Sequence, residues 1–247
     1  MHRDELHSYL DNLLEAQRFR DYCPNGLQVE GRAEVRRAVC GVSASQALLD
    51  EAVAREADAV IVHHGWFWKS DDVTVRGYRK RRLATLLGRD INLYAYHLPL
   101  DAHADLGNNA QLARRLGWTV TGRFADQDIG FFGAPGAPTT AAQVAESLTA
   151  VLGRRPQLIG DGERTVGRIA WCSGGAQDYL EQAAAAGADL YVSGEISERT
   201  VHVARETGVA YLAAGHHATE RFGIMALAAH LAGLGVAADY VEIDNPV

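Results

Sequence analysis

The chain is poor in cysteine: three in 247 residues, at Cys23, Cys40 and Cys172, with no Cys-x-x-Cys pair. An odd, scattered set excludes a disulfide scaffold and a cysteine-rich zinc module, and makes a reducing cytoplasm the expected home. Long apolar runs are missing too. No stretch reaches the roughly 18 uncharged apolar residues that a transmembrane helix requires. The charged start Met1-His-Arg-Asp-Glu-Leu6 lacks the apolar segment of a secretory signal, so none is expected. Neither a Walker A loop nor a Gly-x-Gly-x-x-Gly fingerprint occurs. Basic residues are in deficit, 24 Lys and Arg against 31 Asp and Glu, for a net charge of −7. As a whole the chain is therefore no electrostatic trap for nucleic acid or an anionic membrane.

What is present is a globular composition, 47% hydrophobic and 22% charged, which excludes disorder. At roughly 150 residues per domain, the length suits one large α/β domain or two small ones. Short apolar runs alternate with helical periodicity. Val39–Val42, Ala59–Val62 and Leu93–Tyr96 read as strands; Ser45–Ala57, Arg79–Leu87 and Asn109–Leu116 read as helices. Strands separated by helices of about ten residues mean parallel βαβ units. Residues 124–140, with Gly130, Gly133, Pro135, Gly136 and Pro138, break the rhythm and read as a turn or boundary. The alternation then resumes with helix 141–152, strand 168–172, helix 176–186, strand 189–192, helix 197–207 and strand 209–213. A shift of 131 positions lays Val35 on Val166, Arg37 on Arg168, Gln46 on Gln177 and Asp58 on Asp189 without a gap, the mark of an internal repeat. The expectation is an α/β protein of two similar subdomains, 1–128 and 129–247, each a mostly parallel sheet flanked by helices.

Ten histidines occur, and their placement is informative. His63-His64, His97 and His216-His217 each follow a predicted strand, and α/β sheets bind ligands beyond the carboxyl ends of their strands. Carboxylates accompany them. Asp101 lies four residues after His97, where Pro99 favours a turn. Glu220 lies four after His216, where a helix begins, so the two share a helical face. Imidazole nitrogen with carboxylate oxygen and no thiolate is the ligand set of hydrolytic zinc, manganese, iron or nickel centres. Consecutive residues of a strand point to opposite sides, so His63 and His64 straddle two ions more readily than they share one. With two carboxylates able to bridge, the set suits a dinuclear site with ions about 3.5–4 Å apart. His2, His7, His103, His202 and His230 lack this context and read as structural.

Two further features carry two readings each, and a third carries one. By the repeat, Glu195 is the strand-end equivalent of His64; with Glu198 it is either an acceptor or base near the ligands or a carboxylate capping helix 197–207. Arg76-Gly-Tyr-Arg-Lys-Arg-Arg82 is either a solvated helix face or a phosphate-binding patch with Tyr78 available for stacking. Gly174-Gly175 precedes a helix and is a weak candidate for an anion contact.

Six motifs in order carry a resemblance over essentially the whole chain: Asp21-Tyr-Cys-Pro-Asn-Gly-Leu-Gln-Val-Glu-Gly31, Val60-Ile-Val-His-His-Gly65, Tyr96-His-Leu-Pro-Leu-Asp-Ala-His103, Leu106-Gly-Asn-Asn-Ala110, Ser193-Gly-Glu-Ile-Ser-Glu198 and Ala214-Gly-His-His-Ala-Thr-Glu220. The sequence closely resembles the YbgI, or Nif-three-like, family, many of whose members are labelled GTP cyclohydrolase type 2 homologues. The resemblance implies that His63, His64, Asp101, His216 and Glu220 hold two divalent ions, with Glu220 bridging both and His97 beside them. It also implies a two-domain Nif-three-like fold and a toroidal homohexamer whose sites face an inner cavity. The expected activity is metal-dependent hydrolysis of a nucleotide or another phosphorylated small molecule, ring opening of GTP among the candidates. The alternative is a metal-binding hexameric scaffold or regulator without turnover of its own. Nucleic acid is a further candidate partner at the basic run; a membrane is not expected.

Overall fold

The computed structural model, which describes residues 1–247, turns the apolar runs into buried strands. The chain begins with α1 (Arg3–Leu13), β1 (Gly26–Val29), β2 (Arg37–Ser43), α2 (Gln46–Ala54), β3 (Ala59–His64), α3 (Gly77–Arg89) and β4 (Asn92–Ala95). It continues through α4 (Leu98–Ala102), α5 (Asn108–Leu116), β5 (Thr119–Phe124), β6 (Gly130–Ala134), β7 (Thr139–Thr140), α6 (Ala141–Leu152), β8 (Gln157–Ile159) and β9 (Thr165–Val166). Last come β10 (Ile169–Cys172), α7 (Leu180–Ala185), β11 (Leu190–Ser193), α8 (Glu198–Thr207), β12 (Ala210–Ala213), α9 (His216–Gly233) and β13 (Ala237–Tyr240).

Two principal sheets result, ordered β1-β4-β3-β2-β13 and β5-β6-β10-β11-β12-β8, while β7 and β9 pair as a short ribbon. The chain forms two compact units, Met1–Leu100 with Gly223–Asp244, and Asp101–Phe222 with Asn245–Val247. These differ from the expected halves 1–128 and 129–247. The physical reasons are β13, which pairs in parallel with β2 and so belongs to the first sheet, and β5, which pairs with β6 and so puts its segment in the second.

In the first unit β13, β2, β3 and β4 run parallel, and β1 closes the edge antiparallel to β4. Ser45 caps α2 by accepting the Leu48 N–H at 3.3 Å. That start sets Leu48, Leu49 and Ala52 into a core with Val39, Val60, Val62, Leu86 and Leu93. Each such Leu or Val stabilises the fold by about 1.5–3 kcal/mol through burial. His2 heads α1 in a capping box with Glu5, a structural role as expected.

In the second unit β10, β11 and β12 are parallel, with β6 and β8 antiparallel on either side. Its core is aromatic: Trp171, Phe131, Tyr191 and Tyr211 are all buried. The expected turn or boundary at 124–140 holds two irregular segments, 125–129 and 135–138, and between them strand β6, which lies between β5 and β10. Gly133 explains the misleading signal. A Cβ there would collide with the Thr119 carbonyl and the Trp171 ring, so glycine marks close packing of strands and indole, not a loop. The helix expected at 176–186 is divided into a 3₁₀ turn, Gln177–Tyr179, and α7. No helix is long and apolar enough to cross a membrane.

Candidate metal centre

In the first unit the end of β3 delivers His63 and His64, and the chain just beyond β4 delivers His97. Their ring centroids lie 4.5 Å (His63–His64), 5.2 Å (His63–His97) and 5.7 Å (His64–His97) apart. One ring nitrogen from each falls within 4.8 Å of the others. The rings are oriented from behind. His63 is fully buried, and its Nδ1 lies 3.0 Å from the Tyr96 carbonyl. A carbonyl only accepts, so Nδ1 carries the proton and Nε2 keeps the lone pair that a metal requires. His97 Nδ1 is likewise held, 2.7 Å from Asp21 Oδ1, and His64 Nδ1 lies 3.1 Å from Ser43 Oγ.

Asp21 is buried under donors: the Tyr22 N–H, Asn25 Nδ2 and the Leu98 N–H at 2.6, 3.0 and 2.9 Å. Burial opposes its charge, but His97 and these donors outweigh that, holding the carboxyl down at about 2. The motif beginning at Asp21 therefore acts through His97, an orienting role that spacing alone did not expose.

The second unit gathers Asp101, His216 and Glu220. Asp101 sits in α4, not in the expected turn; Pro99 falls in that helix's first turn, where a missing N–H costs nothing. Its Oδ1 accepts from Asn108 Nδ2 at 2.9 Å and Ser173 Oγ at 3.0 Å. Asn109 ties the same region together, accepting the Ser173 N–H at 2.9 Å and donating to the Ile129 carbonyl at 3.1 Å. A carboxylate oxygen of Asp101 and one of Glu220 lie within 4.8 Å. On the first turn of α9, His216 Nε2 is 3.1 Å from Glu220 Oε2, and its Nδ1 is 2.7 Å from Glu195 Oε1. Burial disfavours a charged imidazole there, but Glu220 and Glu195 prevail and push His216 up to about 9.

Glu195 thus meets His216 and is not a helix cap. The cap of α8 is Ser197, which accepts the Thr200 N–H at 3.4 Å, and Glu198 stands in the first turn. His217 donates its backbone N–H to the Val247 carbonyl. Gly174 serves Glu220, not an anion: its φ is +68°, and a Cβ there would collide with Glu220 Oε1. His103 Nδ1 accepts the Asp105 and Leu106 N–H groups at 3.2 and 3.0 Å, a structural role.

These residues fit a divalent ion. The donors are imidazole nitrogens and carboxylates, and Gly174 leaves a cradle that any side chain would fill. Both nearby thiols hold their protons in the absence of an ion, though Cys23 Sγ lies within 4.8 Å of donor atoms of Asp21 and His97. The buried Cys172 thiol is driven well above its ordinary range by burial and by the Asp101 and Glu220 charges; Cys23 is pushed up to about 12, mainly by burial. Of the basic run, Arg76 pairs with Asp72 at 3.2 Å and Arg79 with Asp71 at 3.1 Å.

A family model described as Duf34/NIF3 (NGG1p interacting factor 3) matches residues 1–246. The chain is 54% identical over 239 residues to the GTP cyclohydrolase 1 type 2 homolog of Pseudomonas aeruginosa, covering 96% of this chain and 94% of that one. The solved structure of protein ybgI, described as of unknown function, is similar with a TM-score of 0.97 at 49% identity, covering both chains fully. TTHA1606 from Thermus thermophilus follows at a TM-score of 0.89 and 38% identity, again with full coverage of both.

Proposed function

The chain belongs to the Duf34/NIF3 family, and from that membership we propose that it is a metal-dependent hydrolase acting on a nucleotide or another phosphorylated small molecule. Ring opening of the GTP cyclohydrolase type is among its candidate reactions. The observation that carries this reading is the donor chemistry: histidines whose far nitrogens are held by a carbonyl or a carboxylate, with buried Asp101 and Glu220. His63, His64, Asp101, His216 and Glu220 are the proposed ligands of two divalent ions. Zinc, manganese, iron and nickel all accept such a set.

Divalent ions supply Lewis acidity, polarising the bond under attack and lowering the pKa of water. The chain's own residues prepare for that chemistry. Tyr96 and Asp21 fix the tautomers of His63 and His97. Asn108 and Ser173 hold Asp101 by one oxygen, which sets the plane of its carboxylate. His97, backed by Asp21 and beside His63 and His64, would be the imidazole that takes or returns a proton.

The test is elemental analysis of protein purified without chelator, then turnover across a panel of nucleotides and phosphodiesters. Metal-dependent hydrolysis that Asp101→Ala abolishes is the expected result. Folded, metal-loaded protein that turns over nothing in the panel would overturn the enzyme and leave a metal-binding scaffold.

A further inference from the structure

Immediately after His64 the chain builds a second feature of the first unit. Gly65 to Trp68, the loop 71–75 and the start of α3 enclose a pocket of about 300 Å³. That is the lower end of the range for small-molecule sites, roughly 300–1,000 Å³. Trp66, Phe67, Trp68 and Tyr78 give it an aromatic lining. Trp68 also borders the histidine cluster, its ring centroid 5.0 Å from that of His97 and 6.0 Å from that of His64. Phe67 is held half-exposed at a φ of +66°, a backbone state that an aromatic residue rarely adopts.

The basic run divides at this pocket. Arg79 lines it but is committed, to Asp71 at 3.1 Å and through Nε to Tyr78 Oη at 3.3 Å. Lys80 is exposed and lies outside the lining. Arg82 is different. Its guanidinium stands 5.0 Å from the Tyr78 ring centroid, no carboxylate pairs with it, and its Nε is shielded from solvent without an acceptor. One guanidinium without a carboxylate partner, in a pocket lined by four aromatic residues, calls for a ligand with one flat ring and one anionic group. Asp71 and Asp72, also in the lining, disfavour a longer chain of negative charge.

We propose that this pocket binds a nucleoside monophosphate, its base stacked on the aromatic lining and its phosphate accepting hydrogen bonds from Arg82. A pocket this small takes one base, which favours a mononucleotide over a nucleic-acid strand. That the bound nucleotide is the substrate rests on the hydrolase reading above; the binding itself does not.

Isothermal titration of the full chain with GMP, GTP and guanosine, at low and high salt, with and without added divalent metal, tests this directly. GMP is expected to bind saturably, with GTP no tighter. Arg82→Gln should weaken GMP about tenfold, the loss of one charge-assisted hydrogen bond, and flatten its salt dependence while sparing guanosine. Tyr78→Leu should weaken both ligands, and Lys80→Gln neither; circular dichroism confirms that each variant is folded. Asp101→Ala should keep GMP affinity. GMP binding by protein that turns over nothing in the substrate panel, in any metal state, would sustain this site while defeating the hydrolase. No saturable GMP binding to wild type, or wild-type GMP affinity and salt slope in Arg82→Gln, would overturn the site even if turnover were found.

Discussion

Asp189 stands in the second unit where Asp58 stands in the first. Asp58 Oδ2 accepts the backbone N–H groups of Arg36 and Arg37 at 2.9 and 3.0 Å. Asp189 Oδ2 accepts those of Gly167 and Arg168, both at 2.9 Å. Acceptors and donors are alike 131 positions apart, the shift that aligns the two βαβ segments in sequence. Each aspartate also meets an arginine through Oδ1, Arg32 at 3.0 Å and Arg164 at 3.1 Å. Each backbone N–H in turn reaches back to the earlier strand's start, at Arg37 O and Arg168 O. The repeated aspartate therefore ties the entrance of one strand to the entrance of the next.

Replacing either aspartate with alanine leaves two backbone donors without their acceptor, so Asp58→Ala and Asp189→Ala should each destabilise the fold by about 1–3 kcal/mol. Asn at either position keeps one acceptor oxygen and should recover part of the loss. Urea unfolding of the four variants reads this. Alanine variants as stable as wild type would mean that water replaces the carboxylate at no cost.

Asp21 carries the pH signature of the first unit. Its carboxyl is depressed from an ordinary 3.8 to about 2 in the folded protein. A depressed folded value stabilises the fold above the unfolded pKa, and that contribution is lost as pH falls from about 4 towards 2. Wild type should therefore lose stability through this window more steeply than Asp21→Asn, whose side chain does not titrate there. Unfolding midpoints measured against pH decide it, and parallel curves would exclude Asp21 as the group responsible.

Much of this was legible in the chain because burial and periodicity coincide. Ala59–Val62 is apolar throughout because β3 is an internal strand of its sheet, and the histidines that follow it stand where such a strand ends. His216 and Glu220 were readable as a pair because α9 begins at His216 and brings the fourth residue onward under it. The misleading places were those where one residue type serves two physical purposes. Gly133 admits an indole and a neighbouring strand, yet in sequence it resembles a turn. Pro99 opens a short helix where it was expected to prevent one. Strand β13 pairs with a partner some two hundred residues away in sequence, and no local pattern records such a pairing. Asp21 is similar: its partner His97 is brought to it only by the fold.

Gly174 should be intolerant of any side chain for two separable reasons. Its φ of +68° costs an L-residue about 1–2 kcal/mol. A Cβ would also displace Glu220, which the proposed ions require. Gly153, at φ +72° with nothing near its Cβ position, isolates the first cost. Gly153→Ala should lower stability and leave metal content unchanged, whereas Gly174→Ala should lower both. Elemental analysis beside thermal unfolding separates them, and full metal content in Gly174→Ala would show that Glu220 is not a ligand.

Glu195 tests whether the support behind a ligand matters as much as the ligand. Its Oε1 lies 2.7 Å from His216 Nδ1, on the side of the ring away from the Nε2 that faces Glu220 at 3.1 Å. With a metal on Nε2, Nδ1 must carry the proton, and Glu195 is its acceptor. Glu195→Ala removes that acceptor and lets the ring rotate, so metal affinity should fall by about 10–100-fold. Glu195→Gln keeps an oxygen that accepts the same hydrogen bond but loses the charge, so its affinity should lie between alanine and wild type. The side chain is 39% exposed, so neither change should cost much fold stability. Competition with a chromophoric chelator gives the affinities, and thermal unfolding of the metal-free proteins checks that the fold is intact. Wild-type affinity in Glu195→Ala would reduce the contact to an incidental ion pair at the edge of α9. The ordering alanine, glutamine, wild type would establish Glu195 as the residue that holds His216 in position.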